Sequence, residues 1–288
     1  MTTRRTFLTS SVLAAQSSPT RFQLACMTLP YSAFSLERAF TGIQAAGFRH
    51  VAWGVSHEKQ QLLAVDAAPK QSAQLGRRCR DIGLEPVMMF ATTNLEAPQA
   101  TEAHQRRIDQ ATAAGIPFLL TFGKTTAGNR PAFIETLRSI AAHAQGSGVM
   151  VVIKQHGGNT GTGELCAQIV TEVAHPAVRI CYDAGNVLDY ERQDPIADIK
   201  TCWREIRAFN IKDHRTTPRN EDCGPGFGEI DHYKLLAPVM NTGLTIPLTF
   251  ENIFAPLVPR PSAPEAIDAL ARRARKYIET VVSGLQTQ

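Results

Sequence analysis

The sequence has no apolar stretch long enough to cross a membrane as a helix. Charged residues are scarce, at 19% of 288, which argues against long solvated helices and acidic tails. The formal charge of +4 comes from scattered Lys and Arg, and aromatics reach only 7%, so the basic, base-stacking face of a nucleic-acid binder is missing. Six cysteines, at 26, 79, 166, 181, 202 and 223, form no CxxC pair and no regular spacing. That pattern excludes a disulfide framework and a cysteine zinc site. Cys26 and Cys181 fall inside apolar runs, where a thiol acts as a small hydrophobe. No GxGxxG follows the first apolar run, so the fingerprint of a dinucleotide-binding open sheet is absent. No linker or low-complexity block divides the chain.

What is present is regular. Hydrophobic residues make up 43%, enough for one continuous core, and the length suits a single domain. Short apolar runs predict strands at Phe22–Met27, His50–Trp53, Glu85–Phe90, Phe118–Phe122, Met150–Lys154, Arg179–Tyr182, Ala208–Ile211 and Pro247–Glu251. Amphipathic stretches between them predict helices at Ser35–Ala46, Gln71–Ile82, Ala100–Ala114, Arg130–Ala144, Gly163–Val173, Asp231–Met240 and Pro264–Val282. Gly47, Gly83, Gly115, Gly148 and Gly243 stand where helices should stop. Eight alternating units predict an α/β fold, a single (β/α)₈ barrel. Thr217–Gly228, rich in Gly and Pro, reads as a mobile loop in the seventh unit.

Residues 1–20 stand apart from the barrel at 21–288. Thr3-Arg4-Arg5-Thr6-Phe7-Leu8 resembles the twin-arginine export consensus, with an apolar stretch at Val12–Ala15. The expectation is a periplasmic or exported chain; the alternative is a basic tail on a cytoplasmic one.

In such barrels the chemistry gathers at the C-terminal strand ends. Four successive runs end in polar groups: Lys154-Gln155-His156, Asp183-Ala184-Gly185-Asn186, Asn210-Ile211-Lys212-Asp213-His214 and Glu251-Asn252. Strand alternation puts Lys154 and His156 on a shared face of their strand, and does the same for Asn210, Lys212 and His214 on theirs. Trp53, ending the second run, either offers an aromatic face to a sugar ring or packs in the core.

The HGG, YDAGN, NIKD, GFGEID and TFEN segments together resemble the xylose isomerase-like TIM-barrel superfamily. That superfamily includes sugar-phosphate isomerases and epimerases, tagatose epimerases, hydroxypyruvate isomerase and endonuclease IV. The resemblance spans residues 22–283. It implies a small sugar substrate, dimers in many relatives, and one divalent metal (manganese, magnesium or zinc) held by Glu, Asp, His and Glu on strands five to eight. Asp183 and Glu251 match that set. Lys154 and Asn210 do not, and Asn186 stands where many relatives carry His.

A protonated Lys donates no electron pair to a metal, so no metal is expected; one held nonetheless would use Asp183 and Glu251. The expectation is an isomerase or epimerase working through an enediolate-like intermediate. Glu251, Lys154 and His156 are its catalytic candidates, with Asp183, Asn210, Lys212, Asn186 and Trp53 binding substrate. The alternatives are a metal-independent lyase on a keto-sugar and a catalytically silent sugar-binding barrel. Retention of Asp183 and Glu251 beside Lys154 argues against simple decay of the site. Endonuclease action would need His and Glu zinc donors that are missing here.

Overall fold

The computed structural model describes residues 18–287, so the expectation at Arg4 and Arg5 lies outside the described residues. Its eight barrel strands are β1 (Arg21–Met27), β2 (His50–Trp53), β3 (Glu85–Phe90), β4 (Phe118–Thr121), β5 (Met150–Lys154), β6 (Val178–Asp183), β7 (Ile206–Ile211) and β8 (Thr245–Phe250). They follow one another round a closed, all-parallel barrel, with β1 completing the ring against β8. The predicted strands are all present, three with the expected bounds and five with an end displaced by one or two residues.

Around them run α1 (Leu36–Ala45), α2 (Pro69–Asp81), α3 (Ala100–Ala114), α4 (Arg130–Gly146), α5 (Gly163–Val173), α6 (Ala184–Glu191), α7 (His232–Leu236) and α8 (Pro264–Gln286). Ser35, Asn129 and Thr162 cap α1, α4 and α5 by accepting a backbone N–H three residues on. The five glycines expected to stop helices all have φ between 68° and 89°. The helix α6 has no counterpart among the sequence expectations.

Strand alternation divides the core in two. Ala25, Ala52, Met88, Phe90, Leu120, Val152, Cys181 and Ala208 fill the barrel interior. Their neighbours in sequence, such as Trp53, Met89, Val151, Ile153 and Tyr182, face outward under the helices. Small interior residues on β1, β2, β6 and β7 leave room for the long side chains that enter from the strand ends.

The Thr217–Gly228 segment corrects an expectation. Instead of a loose loop it contains half of a hairpin, Asp213–Arg215 paired antiparallel with Glu221–Cys223. The reason is Asp213, fully buried, whose carboxylate accepts N–H groups from His214, Gly226, Gly228 and Ile230, each at 2.9–3.0 Å. The end of the NIKD segment thus ties down the GFGEID segment. Gly228 has to be glycine, since a Cβ there would lie 2.3 Å from Asp213 Oδ1. Asp213→Ala should strip all four donors of their acceptor and lower stability by about 3 kcal/mol or more. Urea unfolding measures this, and a loss near zero would mean the hairpin is held elsewhere.

Candidate active site

The inward alternation on β5 to β8 continues past the last interior residues. Val152, Cys181, Ala208 and Thr249 face inward, so Lys154, Asp183, Asn210 and Glu251, two residues further on, do so too. They meet at one mouth. Lys154 Nζ lies 3.0 Å from Glu251 Oε1, 3.1 Å from its Oε2 and 3.2 Å from Asp183 Oδ2. Its ammonium also sits 5.9 Å and 5.8 Å from the ring centroids of Phe90 and Phe122.

A second ammonium completes the cluster. Lys212 Nζ donates to Asn186 Oδ1 at 2.5 Å and Asp222 Oδ2 at 2.7 Å, and lies 3.8 Å from both Asp183 and Glu251. Gly185 permits this path, because a Cβ there would come within 2.6 Å of the Lys212 chain. Asp183 also caps α6 by accepting the Asn186 N–H at 3.0 Å, which gives the YDAGN segment a strand-to-helix turn. Gln155 locks that turn, its side chain accepting from Asp183 N and its carbonyl from Asn186 Nδ2.

The charges respond to this packing. Burial alone would lower the Lys154 pKa, but Glu251 and Asp183 outweigh it and hold the ammonium above its ordinary range. The same contest, with Asp183, Glu251 and Asp222, raises Lys212. Asp183 is raised by burial despite both lysines. Glu251, against its own desolvation, is pulled down to about 2 by Lys154 and Lys212.

Asn210 decides whether a metal fits. Its side chain faces Glu251 Oε2 at 3.0 Å and Asp183 Oδ2 at 3.4 Å. Carboxylates only accept, so they turn the Nδ2 donors inward and leave Oδ1 toward the Thr249 hydroxyl at 2.9 Å. Two ammonium groups and an amide NH₂ therefore point at the two carboxylates where the family resemblance implies a cation. The donor set does not fit a divalent ion at that position.

Among the described residues, Asp189, His214 and Asp222 also bring ligand-type atoms within 4.8 Å of one another. These donors are already engaged. His214 lies 2.9 Å from Asp222 through Nδ1 and 3.1 Å from Asn220 Oδ1 through Nε2, while Lys212 lies on the other Asp222 oxygen. Burial lowers the His214 pKa, but these two hydrogen bonds raise it overall, favouring the imidazolium that donates both ways.

His156 is placed differently. Its Nδ1 lies 2.9 Å from the Gly123 carbonyl, which only accepts, so Nδ1 carries the proton and Nε2 the lone pair. Phe122 and Tyr190 flank the ring at centroid distances of 4.5 and 5.7 Å. Burial, with Lys154 adding to it, lowers the His156 pKa and keeps the ring neutral near pH 7.

One candidate is displaced. Trp53 is wholly buried on the outer face of β2, in the layer beneath the helices, and presents no face to the mouth. The inward neighbour on that strand is Ala52. His57 likewise turns into the structure, its Nδ1 lying 3.0 Å from the Phe34 carbonyl. Residues that the sequence did not single out are Asp222, Gln155 and Tyr190. Asp222 lies in the segment read as a loop, and only the rule that βα connections build the mouth pointed toward it.

The comparisons agree with this architecture. A curated 3-dehydroshikimate dehydratase from Pseudomonas putida is 24% identical over 265 residues, covering 85% of this chain. The chain spans only 40% of that relative's length. The solved structure of an L-ribulose 3-epimerase superposes with a TM-score of 0.72 at 16% identity, covering 92% of this chain and 96% of the other. A xylose isomerase-like TIM barrel protein from Mycobacterium smegmatis in complex with magnesium gives 0.71 at 15%, covering 91% and 97%. Residues 40–276 match the family described as xylose isomerase-like TIM barrel, and with the closed eight-stranded barrel around them, this chain belongs to that family.

Proposed function

We propose that this barrel is an isomerase or epimerase that moves a proton beside the carbonyl of a hydroxylated substrate, with Lys154 holding the enediolate-like oxygen. The observation carrying this reading is the buried Lys154 ammonium at the strand ends, where negative charge would develop. The free Nε2 of neutral His156 takes the proton from the carbon, and the electron pair moves onto the carbonyl oxygen facing Lys154. Glu251, held near 2, is a poor base at rest; it orients Lys154 and gains basicity only as that ammonium turns toward substrate. Returning the proton to the former carbonyl carbon, while the hydroxyl proton on the other carbon passes to the former carbonyl oxygen, completes an isomerisation. Returning it to the other face of the carbon it left is epimerisation, and requires Glu251 as second partner.

A lyase is the second reading, and one observation favours it. In the resting site His156 has an open lone pair while Glu251 is engaged by Lys154 and Asn210. Elimination of a β-hydroxyl as water can follow from a single proton-transfer group, and the curated relative is a dehydratase.

Two measurements test the shared first step. His156→Ala should lower kcat/KM by about 10²–10⁴-fold and slow exchange of the substrate's carbon-bound proton with solvent deuterium. Because the base must be deprotonated and its pKa is lowered, the acid limb of kcat/KM should fall below the ordinary histidine value of 6.5. Binding of hydroxy-carbonyl compounds without turnover or exchange would leave a silent sugar-binding barrel. Identified products separate isomerisation from elimination.

A further inference from the structure

We infer that the substrate carries a carboxylate and that Arg260, on the connection between β8 and α8, receives it. This rests on the proton-transfer reading above for the position of the substrate's carbonyl end. A cavity of about 240 Å³ opens over the cluster and is lined by Lys212, Asp222, Glu251, Asn252, Phe254 and Arg260. Within it the lysine is already engaged, Lys212 by Asn186 and Asp222. Arg260 is the exception. Among the described residues its guanidinium has no hydrogen bond or ion pair, and its one specific contact is the Phe254 ring, 4.6 Å from Cζ.

That contact orients the group without consuming its donors. A guanidinium over a ring keeps its N–H groups in the plane and available at the edge. The platform is fixed: Phe254 is buried, its N–H donates to Asn252 Oδ1 and its carbonyl accepts from Gly224 N. Glu221, which accepts the Leu257 N–H from the same connection, is already paired with Arg219.

The ligand chemistry follows from what one free guanidinium can do. Its parallel N–H pair matches the two oxygens of a planar carboxylate. A phosphate dianion would place more charge against Asp222 and Glu251, with Arg260 the one lining cation not already engaged. The substrate class is therefore a hydroxy-carbonyl acid, either a cyclic keto acid or an oxidised sugar acid, rather than a neutral ketose.

Matched pairs decide it by calorimetry on the full chain: 3-dehydroshikimate and its methyl ester, D-galacturonate and its methyl ester, and D-fructose 6-phosphate and D-fructose. At least one acid should bind about tenfold or more tightly than its own ester. Arg260→Gln should bring that ratio close to one, Arg260→Lys should retain part of it, and the thermal midpoint should not move. Equal binding of acid and ester, no binding by either acid, a ratio unchanged in Arg260→Gln, or an Arg260-dependent preference for the phosphate would each overturn the inference. Arg260-dependent binding of an acid with no turnover would sink the proposed function and leave this inference standing. Turnover of a neutral ketose at the same kcat/KM in Arg260→Gln would do the reverse.

Discussion

Replacing Lys154 with methionine is expected to destabilise the protein by about 3–5 kcal/mol and to lower any kcat/KM by about 10²–10³-fold. The methionine fills much of the same volume, so the loss is one of charge and hydrogen bonding rather than of packing. Asp183 would be left fully buried and Glu251 partly buried, with Lys212 3.8 Å from each as the remaining compensation. That residual pairing should keep the cost toward the lower figure.

The loss should depend on pH. Glu251 falls from an ordinary 4.5 to about 2 in the folded protein, so its ion-pair stabilisation is complete above 4.5 and disappears as the pH drops toward 2. Asp183 is raised, and without Lys154 it should rise further, taking up a proton that relieves the cluster. Native and variant stabilities, measured by urea unfolding at pH 7 and pH 3, should therefore differ most at pH 7. A difference below about 1 kcal/mol at pH 7 would fall in the range of an exposed pair and would contradict a buried, coupled cluster.

The barrel was legible because each strand carries its own apolar run and each helix its own cap and stop. The convergence of Lys154, Asp183, Asn210 and Glu251 was legible for a related reason: once strand ends are known, position along a strand sets depth at the mouth. Direction was harder. Trp53 ends β2 as Lys154 ends β5, yet alternation turns the tryptophan outward and the lysine inward, and the nearby Ala52 was the signal that could have shown it.

Side chains brought in by connections were not legible at all. Asp222 reaches Lys212 because a hairpin folds back over the mouth, and that hairpin depends on Asp213 gathering N–H groups from residues up to 17 positions away. No local pattern encodes such a contact. Lys212 itself was assigned to substrate, but its role as a second buried ammonium emerges only with Asn186, Asp222 and Gly185 around it. Arg260 lies in a connection without periodicity, and the role inferred for it rests on having no acidic partner among the described residues, a property of the folded site.

The second large effect concerns metal. Purified protein is expected to show activity, or sugar binding, that is indifferent to chelation, and Lys154→Glu is expected to gain affinity for manganese by about 100-fold or more. The substitution removes one positive charge and adds one negative charge at the centre of the cluster. Each unit charge about 4 Å from another is worth about 4 kcal/mol at an effective dielectric of 20. Part of that gain is lost because Lys212 remains and Asn210 must turn its Oδ1 away from Thr249 to serve as a ligand. Two decades, about 2.7 kcal/mol, is what should survive. Manganese titration followed by electron paramagnetic resonance reads this without requiring turnover, and Lys154→Met, which adds no donor, should gain much less. Stoichiometric metal in the native protein, with activity lost to chelator and restored by the ion, would defeat the prediction. The Asp189, His214 and Asp222 trio would then be the place to look, since its ligand atoms need only exchange hydrogen bonds for a cation.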